Sequence, residues 1–236
     1  PDMIARKTTS PTTRSRFAPP RVASVYDLRA TVRPFLSLGQ GSAGLLGEVS
    51  LAYRLELPIA LRAHLVPLGV GFGGEKSHEV YGAVVAVTFD HHAFEIGFGL
   101  GIFGEALPSS AAYSRPTNSY GYPAKRRNHF AVHQEFRGGP VDGFHVSGRN
   151  TFYSSEGEFH HGYTDVEVLV PIGTKFGVLA RGGLASIGML LVEAGMRLRV
   201  KGNGDKGTAW LAPTIGYARV GNYEGPLVGL TLDLRL

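Results

Sequence analysis

Residues 49–57 read Val49-Ser50-Leu51-Ala52-Tyr53-Arg54-Leu55-Glu56-Leu57, apolar at every odd position and small, polar or charged at every even one. Successive side chains leave a strand on opposite sides, so a period of two marks a β-strand with one greasy and one polar face. The stretch 228–236 does the same: Val228, Leu230, Leu232, Leu234 and Leu236 alternate with Gly229, Thr231, Asp233 and Arg235. Working outward from these two, the alternation begins at Val22 and predicts about twelve strands. They lie near 26–39, 44–57, 59–73, 78–90, 93–105, 128–138, 142–154, 161–172, 174–186, 188–202, 206–220 and 226–236. Gly182-Gly183 is an equal place for the bend read at Ser186 to Gly188, and ten strands is the alternative count.

Strand length separates two kinds of β protein. Most predicted segments run about 11 to 15 residues, whereas a globular strand is usually about five or six and a bilayer-crossing strand needs roughly nine to eleven plus its ends. The apolar face gathers Leu28, Ala30, Val32, Leu36, the odd positions of 49–57, Phe94, Ile96, Phe98, Leu100, Ile102, Val166, Val168, Val170, Leu190, Val192, Met196 and Leu198. The other face carries Arg29, Arg33, Glu48, Arg54, Glu56, Arg62, His64, Glu95, Glu135, Arg149, Asp165, Glu167, Arg181, Glu193, Arg197, Arg199, Asp233 and Arg235. A closed barrel in lipid accounts for both faces, because hydrocarbon requires apolar contacts outside and full backbone pairing, while the interior holds ions and water. The alternative is a soluble barrel with its greasy face inward, binding a hydrophobic ligand.

Composition removes other classes. The 236 residues include 33 glycines and no cysteine, so disulfides, thiolate metal sites and thiol nucleophiles are excluded. At 43% apolar and 18% charged the chain folds, and 18% is low for a soluble surface. The net charge of +5 is scattered, with no basic block beyond Lys125-Arg126-Arg127, so no nucleic-acid partner is expected. Residues 1–21, with paired prolines and Arg6, Lys7, Arg14 and Arg16, read as a flexible tail or linker before a barrel at 22–236.

Tight turns are predicted at Leu57-Pro58, Asp90-His91-His92, Gly138-Gly139-Pro140, Ile172-Gly173-Thr174 and 202–206, at every second junction. The opposite junctions include one long insertion, 106–127. With its alternation, turn asymmetry, glycine content and apolar final strand Leu232 to Leu236, the chain resembles a bacterial outer-membrane β-barrel protein. Such chains commonly end on an aromatic, where Leu236 stands here. The resemblance implies an antiparallel up-and-down barrel in the outer membrane of a Gram-negative bacterium, and interfacial aromatics at Tyr26, Tyr81, Phe103, Tyr153, Tyr163, Tyr217 and Tyr223.

Two constellations carry possible chemistry. His145-Val146-Ser147 resembles the His-x-Ser pairing of outer-membrane phospholipase A and of lipid A deacylases, which implies a lipid hydrolase as the alternative function. The orienting carboxamide or carboxylate and the oxyanion donors that such chemistry needs have no assigned residues here. His129, His133 and Glu135 alternate on one strand, with Glu135 expected beside His145 and His133 beside Ser147 across the turn. They are read as a hydrogen-bonded lumen network, zinc or copper binding being the other reading. His91-His92 and His160-His161 fall in predicted turns. No cofactor or resident metal is expected.

Inward arginines and carboxylates nearly balance, which suggests salt bridges across the interior. The expected function is therefore a non-enzymatic outer-membrane barrel, either a narrow porin-like channel or a structural and partner-binding barrel. Its expected partners are membrane lipid, lipopolysaccharide phosphates at Lys125, Arg126 and Arg127, and a protein at the 106–127 loop or the tail.

Overall fold

The computed structural model describes residues 26–37, 42–55, 58–73, 76–91, 93–106, 126–155, 158–185, 189–202, 207–220 and 223–236. The strands are β1 (Tyr26–Ser37), β2 (Ser42–Arg54), β3 (Ile59–Gly73), β4 (Lys76–His91), β5 (Phe94–Ala106), β6 (Arg126–Gly138), β7 (His145–Ser155), β8 (Glu158–Ile172), β9 (Phe176–Ala185), β10 (Met189–Lys201), β11 (Thr208–Val220) and β12 (Tyr223–Arg235). Each pairs antiparallel with its neighbours in sequence, and β12 closes on β1 through Leu28–Leu234, Ala30–Leu232 and Val32–Leu230. The fold is a closed up-and-down barrel of twelve strands, with β9 running unbroken through Gly182-Gly183 to Ala185.

A 13-residue strand such as β2, at about 3.3 Å per residue and a tilt of roughly 40°, covers about 33 Å along the barrel axis, enough for a hydrocarbon core of about 25–30 Å. Its outward positions form an apolar belt that includes Leu51, Val85, Phe98, Leu100, Val192, Ile215 and Val228, all exposed. Around the end holding Tyr26, Arg54 and Arg235, here the turn end, aromatic rings ring the belt. Tyr26 lies 5.2 Å from Tyr53 and Phe89 stacks on Phe94 at 5.7 Å, with Phe136 and Phe144 exposed nearby in the sheet.

Several expectations change. Phe103, Tyr163 and Tyr223 face the lumen and are buried; their position near strand ends suggested a girdle, but their parity matches that of Glu95, Asp165 and Gly225. With Phe35, Leu46, Val80, Leu191 and Val220 they fill the opposite half of the lumen, the loop end. The interior is thus apolar in one half and mainly charged in the other, where Leu169, Leu179 and Ala212 form a small apolar cluster, and is not polar throughout. His160 and His161 lie within β8, where His161 pairs with Phe152 beside a bulge, and His91 ends β4. His92 lies outside the described residues, as do 1–25 and 107–125, which include the predicted tail and most of the long insertion. Turn asymmetry rests on 107–125 alone, since 38–41, 74–75, 156–157 and 221–222 are as short as the junctions at the turn end.

One glycine shows how tightly the interior is filled, and another how a turn is made. A Cβ at Gly44 would sit 2.0 Å from the Phe35 ring, and Gly173 occupies a left-handed position (φ +74°) in the β8–β9 turn. Gly44→Ala is expected to displace Phe35 and destabilise the barrel by about 1–3 kcal/mol in equilibrium unfolding from detergent. Val85→Arg, at mid-height of the belt, is expected to cost about 2–4 kcal/mol in lipid vesicles while Val85→Leu leaves the midpoint unchanged.

Candidate functional site

The inward positions of the turn half place arginines against carboxylates, and in a lumen surrounded by lipid each buried charge needs a partner. Three pairs span the lumen between strands that are not neighbours. Arg29 on β1 donates to Glu167 on β8, Arg33 Nε on β1 donates to Glu193 Oε1 on β10 at 2.9 Å, and Arg149 Nη2 on β7 donates to Glu48 Oε2 on β2 at 3.0 Å. Lateral contacts knit these together. Arg181 Nη1 donates to Glu193 Oε1 at 2.7 Å and its Nε to Glu167 Oε2 at 3.1 Å, Arg149 Nε donates to Asp165 Oδ1 at 2.9 Å, and Thr214 Oγ1 donates to Glu193 Oε2 at 2.7 Å. Thr31 and Thr231 share a hydrogen bond of 3.0 Å behind Glu48.

A second group lies nearer the turn end. Arg62 Nη1 is 2.8 Å from Glu95 Oε1, Arg54 bridges Asp27 (2.5 Å) and Asp90 (2.7 Å), and Arg137 Nη2 donates to Asp90 Oδ1 at 2.9 Å. Arg197 Nη2 donates to Asp233 Oδ2 at 3.1 Å, and the Arg197 and Arg199 guanidiniums lie 4.5 and 4.6 Å from the Trp210 ring centroid. Arg235 Nη1 donates to Asp142 Oδ1 at 2.8 Å. Of these side chains, Arg54, Arg62, Arg137, Arg149, Arg197 and Arg235 are among those that line a cavity of about 150 Å³ in the turn half.

Glu56 and Lys125 lie outside the described residues, and β6 begins at Arg126 and Arg127 on the loop end. Asp27 and Arg137 have the parity of the lumen residues Arg29 and Glu135 on their own strands, whereas Asp90 was expected in a turn and lies near the end of β4. Asp142 had no such signal because it sits in a turn.

That turn also corrects the predicted register. The β6–β7 connection is Gly139 to Phe144, longer than Gly138-Gly139-Pro140, because Arg197 Nη1 donates to Val141 O (3.3 Å) and Arg235 to Asp142, holding it over the cavity mouth. Glu135 consequently pairs with Arg149, His133 with Thr151 and Arg137 with Ser147. His145 is kept from Glu135: its Nδ1 lies 3.2 Å from Gly143 O and its Nε2 4.0 Å from Glu167 Oε1. Ser147 pairs across β8 with Glu167, and both His145 and Ser147 line the cavity. His129 instead stacks with Tyr153 at 4.9 Å. The neighbour that His133 and Glu135 do meet is His64 of β3, whose Nε2 lies 2.9 Å from Glu135 Oε2.

A closed up-and-down barrel with an apolar outer belt and charges sealed inside is a transmembrane β-barrel of the outer-membrane type. No protein-family profile matches the chain and no curated protein does. Solved structures of similar architecture include the KdgM porin in complex with disordered oligogalacturonate, at 11% identity and a TM-score of 0.45, covering 87% of this chain and 96% of that one. The TodX deltaS2S3 mutant, a monoaromatic hydrocarbon channel, matches at 8% identity and 0.43 over 89% of each chain. LpxR from Salmonella typhimurium matches at 9% and 0.39, over 89% of this chain and all of that one, 100%. The likeness is one of architecture.

Arg33 is among the most enclosed of the described arginines, with 2% side-chain exposure between Glu193 and Glu48. Arg33→Ala is expected to cost about 3–5 kcal/mol in unfolding from detergent, because two buried carboxylates lose their counter-charge. Arg33→Ala combined with Glu193→Gln is expected to recover part of that loss.

Proposed function

We propose that the protein is a non-enzymatic outer-membrane barrel, closed at rest, that serves as a structural and partner-binding element in the lipid. The observation that carries this reading is the filled lumen: ion pairs join β1 to β8 and β10, and the buried Phe35, Phe103, Tyr163 and Leu191 occupy the loop half. An aqueous path for a solute needs continuous polar width, which an apolar plug above a salt-bridge layer does not offer. Twelve strands stand between filled eight-stranded barrels and wide porins, and large inward side chains here take up the extra diameter. On this reading Arg126 and Arg127, which open β6 at the loop end, together with Lys125 before them in sequence, meet lipopolysaccharide phosphates outside the cell.

The second reading, lipid hydrolysis by His145 and Ser147, is disfavoured by their placement in the lumen cavity, behind the lipid-facing Phe144 and Val146. The folded protein in a planar bilayer is expected to insert without steady conductance steps; reproducible steps from the unmodified chain would favour the narrow channel. Phospholipid ester hydrolysis, assayed on the same preparation, is expected to be no higher than that of Ser147→Ala.

A further inference from the structure

Not every polar group in the lumen is matched by the arginine–carboxylate pairing. His64, His133 and Glu135 are buried together, with one ligand-type atom from each lying within 4.8 Å of the others. His133 is wholly enclosed, at 0% exposure, and its Nδ1 lies 3.0 Å from Thr151 Oγ1. Its Nε2 points at Glu135 Oε2 from 3.8 Å, too far for a hydrogen bond, and has no hydrogen-bond partner among the described residues. His64 Nδ1 and Glu135 Oε1 are likewise buried without one. Leaving such buried atoms unmatched is costly, and this is the only place in the described lumen where two imidazoles and a carboxylate converge.

We propose that His64, His133 and Glu135 bind one divalent transition-metal ion of the zinc or copper kind. Two imidazole nitrogens and one carboxylate oxygen suit these borderline ions rather than magnesium or calcium, which prefer oxygen alone. Ligand atoms each about 2.0–2.2 Å from a tetrahedral ion sit about 3.4 Å apart, and the two contacts to Glu135 Oε2, 2.9 and 3.8 Å, bracket that spacing. Thr151 fixes the His133 ring: with Nδ1–H donating to Thr151 Oγ1, the Nε2 lone pair faces Glu135, as an outer hydrogen bond does for metal-bound histidines.

The fold prepares the meeting. His64 is on β3 and Glu135 on β6, and the two strands between them turn small residues inward there. A Cβ at Gly97 of β5 would lie 2.5 Å from Thr88 Cγ2 and 2.7 Å from Glu135 Cγ, so glycine leaves the space into which Glu135 bends. Access is open, since His64 and Glu135 both line the cavity of the turn half, from which water can supply the remaining ligand. The nearest cation, Arg62, lies 3.7 Å from Glu135 but is held more closely by Glu95, at 2.8 Å.

The test uses the full chain, folded in detergent and stripped with a chelator, titrated with Zn²⁺ by calorimetry and with Cu²⁺ by electron paramagnetic resonance. One ion per barrel is expected, with coupling from two imidazole nitrogens in the copper spectrum. His64→Gln and His133→Gln are each expected to weaken Zn²⁺ binding by at least about tenfold, whereas a variant with glutamine at His91, His160 and His161 retains it. Binding that survives His133→Gln, or that disappears in the triple variant, would assign the ion to surface histidines and overturn the proposal. Should His133→Gln fail to fold, the copper spectrum of the unaltered barrel decides: a spectrum without two-nitrogen coupling, or no binding at all, overturns it.

Discussion

A guanidinium inside a barrel that stands in hydrocarbon can be stabilised only by what the lumen itself provides. That requirement organises the molecule. Arg29, Arg33 and Arg149 each have carboxylates on strands far from their own around the sheet, Glu167, Glu193 and Glu48, and these pairs fix how the walls face one another. Strand pairing sets neighbours only pairwise, through twelve local registers. The pairs across the lumen add constraints between opposite walls that backbone ladders cannot supply. Exchanging such a pair for apolar side chains need not reduce stability, so its contribution lies as much in holding one cross-section as in free energy.

The same constraint explains the division of the interior. Ion pairs and threonines dominate the turn half, around Trp210 and a small apolar cluster of Leu169, Leu179 and Ala212, while Phe35, Phe103, Tyr163 and Leu191 fill the loop half. Separation keeps most guanidiniums among acceptors and the rings of the loop half among carbon, with Trp210 under Arg197 and Arg199 as the exception. Glycines on the inward face serve both regions: Gly44 lies under Phe35 and Gly97 under Glu135, each giving up its own side chain to a larger one.

Much of this was legible in the chain. Parity alone placed Leu51, Phe98 and Val192 outside and Arg33, Glu135 and Glu193 inside, because a strand in a closed barrel has only those two directions. Parity also held the correct answer for Phe103 and Tyr163, but proximity to strand ends was given more weight than direction. Register was harder. The β6–β7 turn is lengthened by Arg197 and Arg235, residues more than fifty positions away, so no local turn rule could have set His133 against Thr151. The encounter of His64 with Glu135 depends on two intervening strands having small inward residues, a property of the assembled wall rather than of either strand.

The pairing of β1 with β12, completed by the mutual backbone hydrogen bonds of Tyr26 and Leu236, has a consequence for the order of events during biogenesis. Until β12 arrives, the sheet has two bare edges, and Arg33 on β1 awaits Glu193 on β10. A nascent barrel of this kind therefore gains little from folding piecemeal as it is synthesised. Its charged interior matures only when the circle closes, which favours a chain kept unfolded in transit and committed to the bilayer in one concerted step.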